Sequence, residues 1–248
     1  MNRMTGFWMA LLVGLSSKAQ IDTINTQTNK LNVAALKQGK ATYAVYFEDS
    51  TGNRISSADI WDRTLRLSTD GAGQKIYEFD WQVYRKDSLA ASVRATGQFP
   101  SFEPLSHHAD YPGRGRLSFS FANNIVTVPV DKRRTARDSA FHVALDVAAF
   151  EFPMDLELFS LLPFRKKGQQ FAVAFYEPGS QAARYYPLTV TGKEDLPLTG
   201  GQKAACWLLR IDYAPNLFAT FWISDKTREV LKMKEFAKGK YRYKVRLY

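Results

Sequence analysis

The chain has 248 residues, 45% of them hydrophobic and 14% aromatic, with 34 Lys and Arg against 24 Asp and Glu for a formal net charge of +10. That apolar share supports one large core, and all-β folds of this length commonly run as one domain. A lone cysteine, Cys206, excludes an intrachain disulfide, and no recognition motif accompanies the positive charge, so nucleic acid is not expected as a partner.

In chain order, residues 1–19 read as a secretory signal. Arg3 supplies a positive start, Gly6 to Leu15 is an apolar run too short to span a bilayer, and Ser17-Lys18-Ala19 places small residues where a signal peptidase reads. Cleavage before Gln20 would leave 32 basic against 24 acidic residues, a net charge of +8. No cysteine stands at that junction to carry a lipid, and no later apolar run is long enough to cross a membrane. The expectation is a soluble periplasmic protein, not a lipoprotein. Residues 20–38, rich in Thr, Asn and Gln, read as a flexible lead-in or a short helix over the core.

From 39 to 248 the pattern predicts a single antiparallel β domain. Ala41, Tyr43, Val45 and Phe47 alternate with smaller or polar neighbours; Tyr77, Phe79, Trp81 and Val83 alternate with Glu78, Asp80 and Gln82. Leu89, Ala91 and Val93 follow, then Leu117, Phe119 and Phe121. A period of two puts one face of a strand on a core and the other in water. Thr51-Gly52-Asn53, Asp70 to Gly73, Lys86-Asp87-Ser88 and Asn123-Asn124 mark turns. Pro153 to Pro163 breaks the rule: Leu158, Leu161 and Leu162 have helical spacing, Pro153 suits a first turn and Pro163 ends the run, so one short amphipathic helix is expected. Strands resume at Phe171, Val173 and Phe175, and after the Glu177 to Ser180 turn at Tyr186 to Val190. Ala205 to Tyr213, Leu217 to Ile223, Glu229 to Phe236 and Tyr241 to Tyr248 complete the set. The predicted fold is mainly β, one curved antiparallel sheet with a short covering helix.

Catalytic signatures do not emerge. His107, His108 and Asp110 form the densest ligand-like cluster, but adjacent histidines lack metal-site spacing, and the segment between Pro104 and Pro112 reads as a surface loop. Hydrolase elbows, paired metal histidines and phosphate loops are missing. Cys206 reads as a small packed residue, and Asp155 and Glu157, two apart on a helix, do not face each other. No catalytic residue, cofactor or metal ligand is assigned, and an enzyme is not expected.

Two binding features stand out instead. Phe79, Trp81, Phe171, Phe175, Trp207 and Phe221 lie on inward strand faces, where they either fill a core or line an apolar cavity. Lys232, Lys234, Arg242, Lys244 and Arg246 suggest a basic surface: on the last strand Tyr241, Tyr243, Val245 and Leu247 would face the core, with Arg242, Lys244 and Arg246 on the solvated side. That basic face, with the loop clusters Lys132-Arg133-Arg134 and Arg165-Lys166-Lys167, is either plainly solvated or drawn to anionic head groups or an acidic partner.

The run Phe221-Trp222-Ile223-Ser224-Asp225-Lys226-Thr227-Arg228-Glu229-Val230-Leu231-Lys232-Met233, with the Leu161-Leu162-Pro163-Phe164 step before a Gly and a long strand, resembles an uncharacterised periplasmic family, domain of unknown function 3108. That family is similar in fold to the lipoprotein carriers LolA and LolB. The resemblance covers residues 150–248 and implies a half-barrel closed on its concave side by helix, with a greasy interior that shields acyl chains. The chain departs from the carriers in having one convincing helix and no lipid-bearing cysteine, and the resemblance carries over no catalytic residue. Three functions follow in order: an exported binding protein holding a lipid or acyl ligand in the concave sheet; an envelope structural or assembly protein that binds an envelope protein or polymer through its basic and aromatic surface; and, last, an envelope enzyme.

Overall fold

The computed structural model describes residues 21–113, 115–130 and 135–247; the expected leader and the Lys132-Arg133-Arg134 cluster fall outside them. The alternating segments become strands of one sheet. Its first half holds β1 (Ile21–Ile24), β2 (Gly39–Glu48), β3 (Asp59–Thr69), β4 (Lys75–Arg85), β5 (Ser88–Gln98), β6 (Pro104–Tyr111), β7 (Gly115–Ala122), β8 (Ile125–Thr127), β9 (His142–Ala144) and β10 (Phe150–Glu151). The second half holds β11 (Gln170–Tyr176), β12 (Ala183–Pro197), β13 (Lys203–Ala214), β14 (Leu217–Ser224), β15 (Val230–Ala237) and β16 (Lys240–Leu247). A single-turn helix, α1 (Ala136–Ala140), lies between β8 and β9, and between the halves a 3₁₀ turn at Phe152–Met154 runs into α2 (Asp155–Ser160). The short helix expected between the two prolines is therefore present, with its regular part ending at Ser160.

Strands β11 to β16 form an antiparallel meander, and β16 then pairs with β2, Tyr241 opposite Glu48 and Leu247 opposite Thr42. From β2 the meander continues to β9, so the halves of the chain meet at their ends and make one 16-stranded curved, unclosed sheet. Turns fall where Gly and Asn permit a left-handed backbone: Asn123 and Asn124 both have positive φ between β7 and β8, as does Asn216 between β13 and β14. Register shifts at Val83/Tyr84, Thr96/Gly97, Val190/Gly192, Asp212/Ala214 and Trp222/Ile223 add the local bends that curl a sheet of this width.

The concave face is filled by α2 and the step after it. Leu156, Leu158, Phe159, Leu161 and Leu162 are fully buried against Val173, Phe175, Leu209, Phe221 and Met233. Phe159 meets Phe175 and Phe221 edge-on, with ring centroids 5.8 and 5.0 Å apart. At about 1.5–3 kcal/mol for each large apolar side chain buried, this plug is a main source of stability. Residues 21–38, read as a flexible lead-in or a short helix over the core, hold β1 and a 3₁₀ turn at Val33–Ala35 that packs on the core. β1 pairs in parallel with β11, Ile24 is wholly buried, and the Asn32 amide donates to the Leu161 carbonyl at 2.8 Å beyond the helix end. A few apolar residues at the right register, Ile24 and Leu31, outweigh the polar average.

The sheet also overlaps itself. Ala95, His107 and Phe119 are cross-strand partners on one face, the face that carries the main core. Beyond them Phe119, Phe121 and Val126 pack on Ala174, Tyr176 and Ala183. On β11 these alternate with Val173 and Phe175, which point into the main core, so the concave side of β7 and β8 lies over the outer side of β11 and β12. The segment around His107, expected as a loop, is strand β6. Its histidines diverge: His107 is buried and hydrogen-bonded to Glu151, whereas His108 is exposed and meets Ser118 at 3.0 Å.

Candidate functional site

The site is built on β3, which places Trp61, Arg63 and Leu65 inward. Arg63 is 2% exposed, and a buried guanidinium persists only with partners for its charge and its N–H groups. The first turn of α2 supplies them. Nε and Nη2 donate to the two Glu157 carboxylate oxygens at 3.0 and 2.5 Å, Nη2 also donates to the Pro153 carbonyl at 2.6 Å, and Asp155 Oδ1 stands 3.4 Å away. Phe79 and Trp81 lie against the guanidinium, 4.9 and 5.3 Å from ring centroid to Cζ. Burial works to lower the Arg63 pKa, but Glu157 and Asp155 outweigh it and hold the group above its ordinary value. Asp155 and Glu157 therefore do converge, on an arginine reaching in from the sheet rather than on each other.

Strand β16 contributes the second cation. The inward cross-strand partners run Met233 to Lys244 to Val45 and Glu235 to Arg242 to Phe47. Lys244 is buried, 3.8 Å from Asp155 Oδ2 and 4.7 Å from the Trp61 ring. Burial brings its ammonium pKa down to about 8, with Asp155 opposing and Arg242 and Arg63 reinforcing. Arg242 donates to Glu235 at 2.6 Å, and Arg246 pairs with Glu229 at 2.8 Å. Tyr43, beside Arg246 on β2, donates to the Val230 carbonyl at 3.0 Å; burial, with a contribution from Glu157, pushes its phenol up to about 12.

At the N-terminal end of α2 the plug stops short and leaves an open cleft of about 460 Å³. Phe152, Pro153 and Asp155 form one wall; Trp61, Trp81, Tyr186, Tyr213, Arg242 and Lys244 form much of the rest. The two indoles lie 4.7 Å apart, and Phe152 approaches Tyr186 and Tyr213 at 5.2 and 6.0 Å. Arg184 at the rim donates to the Tyr186 hydroxyl at 2.8 Å. Three donors in these walls, Trp61 Nε1, Trp81 Nε1 and Arg242 Nε, are buried with no hydrogen-bond partner among the described residues. The cleft thus combines aromatic surface, fixed charges of both signs and unmet N–H groups.

The residues expected at the site separate. Phe79, Phe171, Phe175, Trp207 and Phe221 are buried in the packed core, where Trp207 stacks near Phe164 and donates to Asp225 at 2.7 Å. Of the six apolar candidates, Trp81 alone reaches the cleft. The basic set splits by face. Lys232 and Lys234 lie on the outer side, but Arg242, Lys244 and Arg246 point inward, reversing the orientation expected for β16; Tyr241, Tyr243, Val245 and Leu247 face out. The inversion has a physical reason: carboxylates of α2, β15 and the β14–β15 turn wait on the inner side. Tyr213 is legible in the sequence only as the end of a strand face, and Trp61, Arg63 and Glu235 carry no site signal there, although Trp61, Leu65 and Leu67 keep a period of two around Arg63.

No family model and no curated protein matches the chain. Its resemblance to domain of unknown function 3108 and to the lipoprotein carriers thus rests on the residues quoted for it. Among solved structures the chain is similar to a beta-barrel-like protein of domain of unknown function 1849 from Brucella abortus, at 9% identity and a TM-score of 0.47, over 86% of this chain and 97% of that one. It is also similar to a presumed lipoprotein from Parabacteroides distasonis (10% identity, TM-score 0.32, 85% and 94% covered). A third is a presumed exported protein with a YmcC-like fold from Bacteroides fragilis (7% identity, TM-score 0.34, 85% and 95% covered).

Proposed function

We propose that this chain is an exported, periplasmic, non-catalytic binding protein that holds an amphiphilic, lipid-like ligand in the cleft at the N-terminal end of α2. The leader pattern of residues 1–19 supports export. The cleft carries the rest: aromatic walls offer apolar surface, while Trp61 Nε1, Trp81 Nε1 and Arg242 Nε lack an acceptor among the described residues. A buried donor left unsatisfied costs about 1–3 kcal/mol, so a carboxylate, phosphate or hydroxyl entering between the indoles would relieve a cost the free protein bears. The ligand sits at the mouth of the half-barrel, since the middle of the concave face is occupied by α2.

The test is organic extraction and mass spectrometry of protein purified from the periplasm, with Trp61→Phe and Trp81→Phe alongside. Acyl species near one per protein, reduced about tenfold by loss of the indole N–H groups, would support the proposal. An empty protein whose melting temperature ignores added lysophospholipid, but which captures an envelope protein, would replace it with the assembly role.

A further inference from the structure

With Arg242, Lys244 and Arg246 turned inward, the outer side of β13 to β16 and β2 has a different make-up from the one read in the sequence. Its cross-strand rows alternate rings and cations: Trp222 lies opposite Lys232, Lys234 opposite Tyr243, and Tyr243 opposite Tyr46. The next row is wholly aromatic, Phe218 to Phe236 to Tyr241, with centroids 5.5 and 5.2 Å apart. Lys232 Nζ stands 4.8 Å from the Trp222 ring, and Lys234 Nζ stands 4.2 Å from Tyr241. Tyr46 and Tyr243 stack at 5.1 Å, with Arg54 above Tyr46 at 4.8 Å.

Two properties distinguish this face from an ordinary solvated one. First, its lysines make no ion pair: Lys232 and Lys234, and Lys238 and Lys240 at the adjoining turn, have no carboxylate within bonding distance among the described residues. Elsewhere on the sheet several cations are neutralised locally, as Arg85 is by Asp59, Arg116 by Asp110 and Lys193 by Asp225. Second, Tyr46 and Tyr241 beside them are half-buried, each with an apolar body and a polar tip suited to the boundary between acyl chains and water.

We infer that the outer face of β14, β15 and β16 docks on an anionic phospholipid bilayer, with Lys232 and Lys234 meeting head-group phosphates and Tyr241 at the interface. Charge complementarity selects this occupant. Unpaired cations gain about 1 kcal/mol each near an anionic leaflet; the carboxylates on this side, Glu48 opposite Tyr241 and Asp212 already paired with Arg210, lie on the flanking strands β2 and β13. Docking is independent of what the cleft holds.

The experiment is co-flotation of the full mature chain with phosphatidylcholine vesicles, with and without phosphatidylglycerol. Binding should require phosphatidylglycerol and should fall away between about 0.1 M and about 1 M salt. The Lys232→Gln/Lys234→Gln double variant should bind about thirtyfold more weakly, from roughly 1 kcal/mol per charge. A control pair of equal charge loss, Lys75→Gln/Lys203→Gln, should stay within about threefold of the parent, since those exposed lysines lie at other strand ends. Both pairs replace exposed or half-exposed side chains, and matching circular dichroism spectra will verify the fold. Equal binding to neutral vesicles, or equal loss in both pairs, overturns the inference. So does binding to an acidic polysaccharide with none to vesicles.

Discussion

The Arg63 cluster makes the sharpest demand on this reading. Arg63→Met keeps much of the aliphatic stem against Phe79 and Trp81 but removes three short donations, two to Glu157 and one to the Pro153 carbonyl. Glu157 and Asp155, with side chains 14% and 8% exposed, would be left with Lys244, itself 3.8 Å from Asp155. Removing one partner of a buried pair costs about 3–5 kcal/mol. The partial exposure of Glu157 lets water reach its carboxylate, so the lower end, about 3 kcal/mol, is expected. In a chain of this size that corresponds to a melting temperature lower by roughly 6–12 °C. The assay is urea unfolding followed by tryptophan fluorescence, with parallel slopes checking that midpoints report stability. Adding Glu157→Leu to Arg63→Met should recover about 2 kcal/mol, because the stranded charge goes with its carboxylate. A single-variant loss below about 1 kcal/mol, or strict additivity in the double variant, would refute the claim that Arg63 and α2 form one buried electrostatic unit.

Two further outcomes follow from groups around the cleft and the β5 bend. Lys244 titrates at about 8 in the folded chain, from an ordinary value near 10.5, so below pH 8 the fold bears the whole cost of a buried ammonium, about 3 kcal/mol. Between pH 8 and 10.5 the folded state has lost that proton and the unfolded state keeps it, so stability rises relative to Lys244→Met; urea midpoints at pH 7 and 10 should show the advantage of the Met variant shrinking, and a pH-independent gap would contradict the burial. At Gly97 an added Cβ would run into the Tyr77 ring and stand 2.5 Å from the Glu103 carbonyl oxygen. Since β5 pairs there with β4 and β6 and cannot yield easily, Gly97→Ala should cost about 1–3 kcal/mol by overpacking, and a neutral midpoint would mean the bend is softer than its packing indicates.

Much of the architecture is legible because strands with one wet face write period two into the sequence. Tyr77 to Val83 and Phe171 to Phe175 were read that way and are core strands. The site was hidden by the same rule. On β3 the inward positions read Trp61, Arg63 and Leu65, and an arginine in the middle interrupts the apolar alternation that would mark the strand. On β16 the alternation is visible but its sense is reversed, because a local pattern alone turns apolar residues inward. Only the position of α2 reveals that carboxylates lie inside, and that placement depends on contacts between residues about 90 apart in the chain. Local patterns locate strands; which side a mixed strand turns inward is decided by what has already packed there.

That dependence explains why the interior charges sit at one end of the plug. An all-apolar helix on a broad aromatic floor could slide or rotate with little loss, since Leu and Phe contacts are non-directional. Glu157 fixes the rotation of α2 by its two-point contact with Arg63, and Asp155 ties the same turn to Lys244 on β16. Those two strands flank β2, so the helix is held across the seam where the halves of the chain meet. With α2 fixed there, the Phe152–Pro153 turn cannot move inward to fill the space beside Trp61 and Trp81, and the 460 Å³ cleft stays open. The ionic cluster that locks the plug thus also keeps the cleft open, and loosening it should close the cleft as well as lower stability.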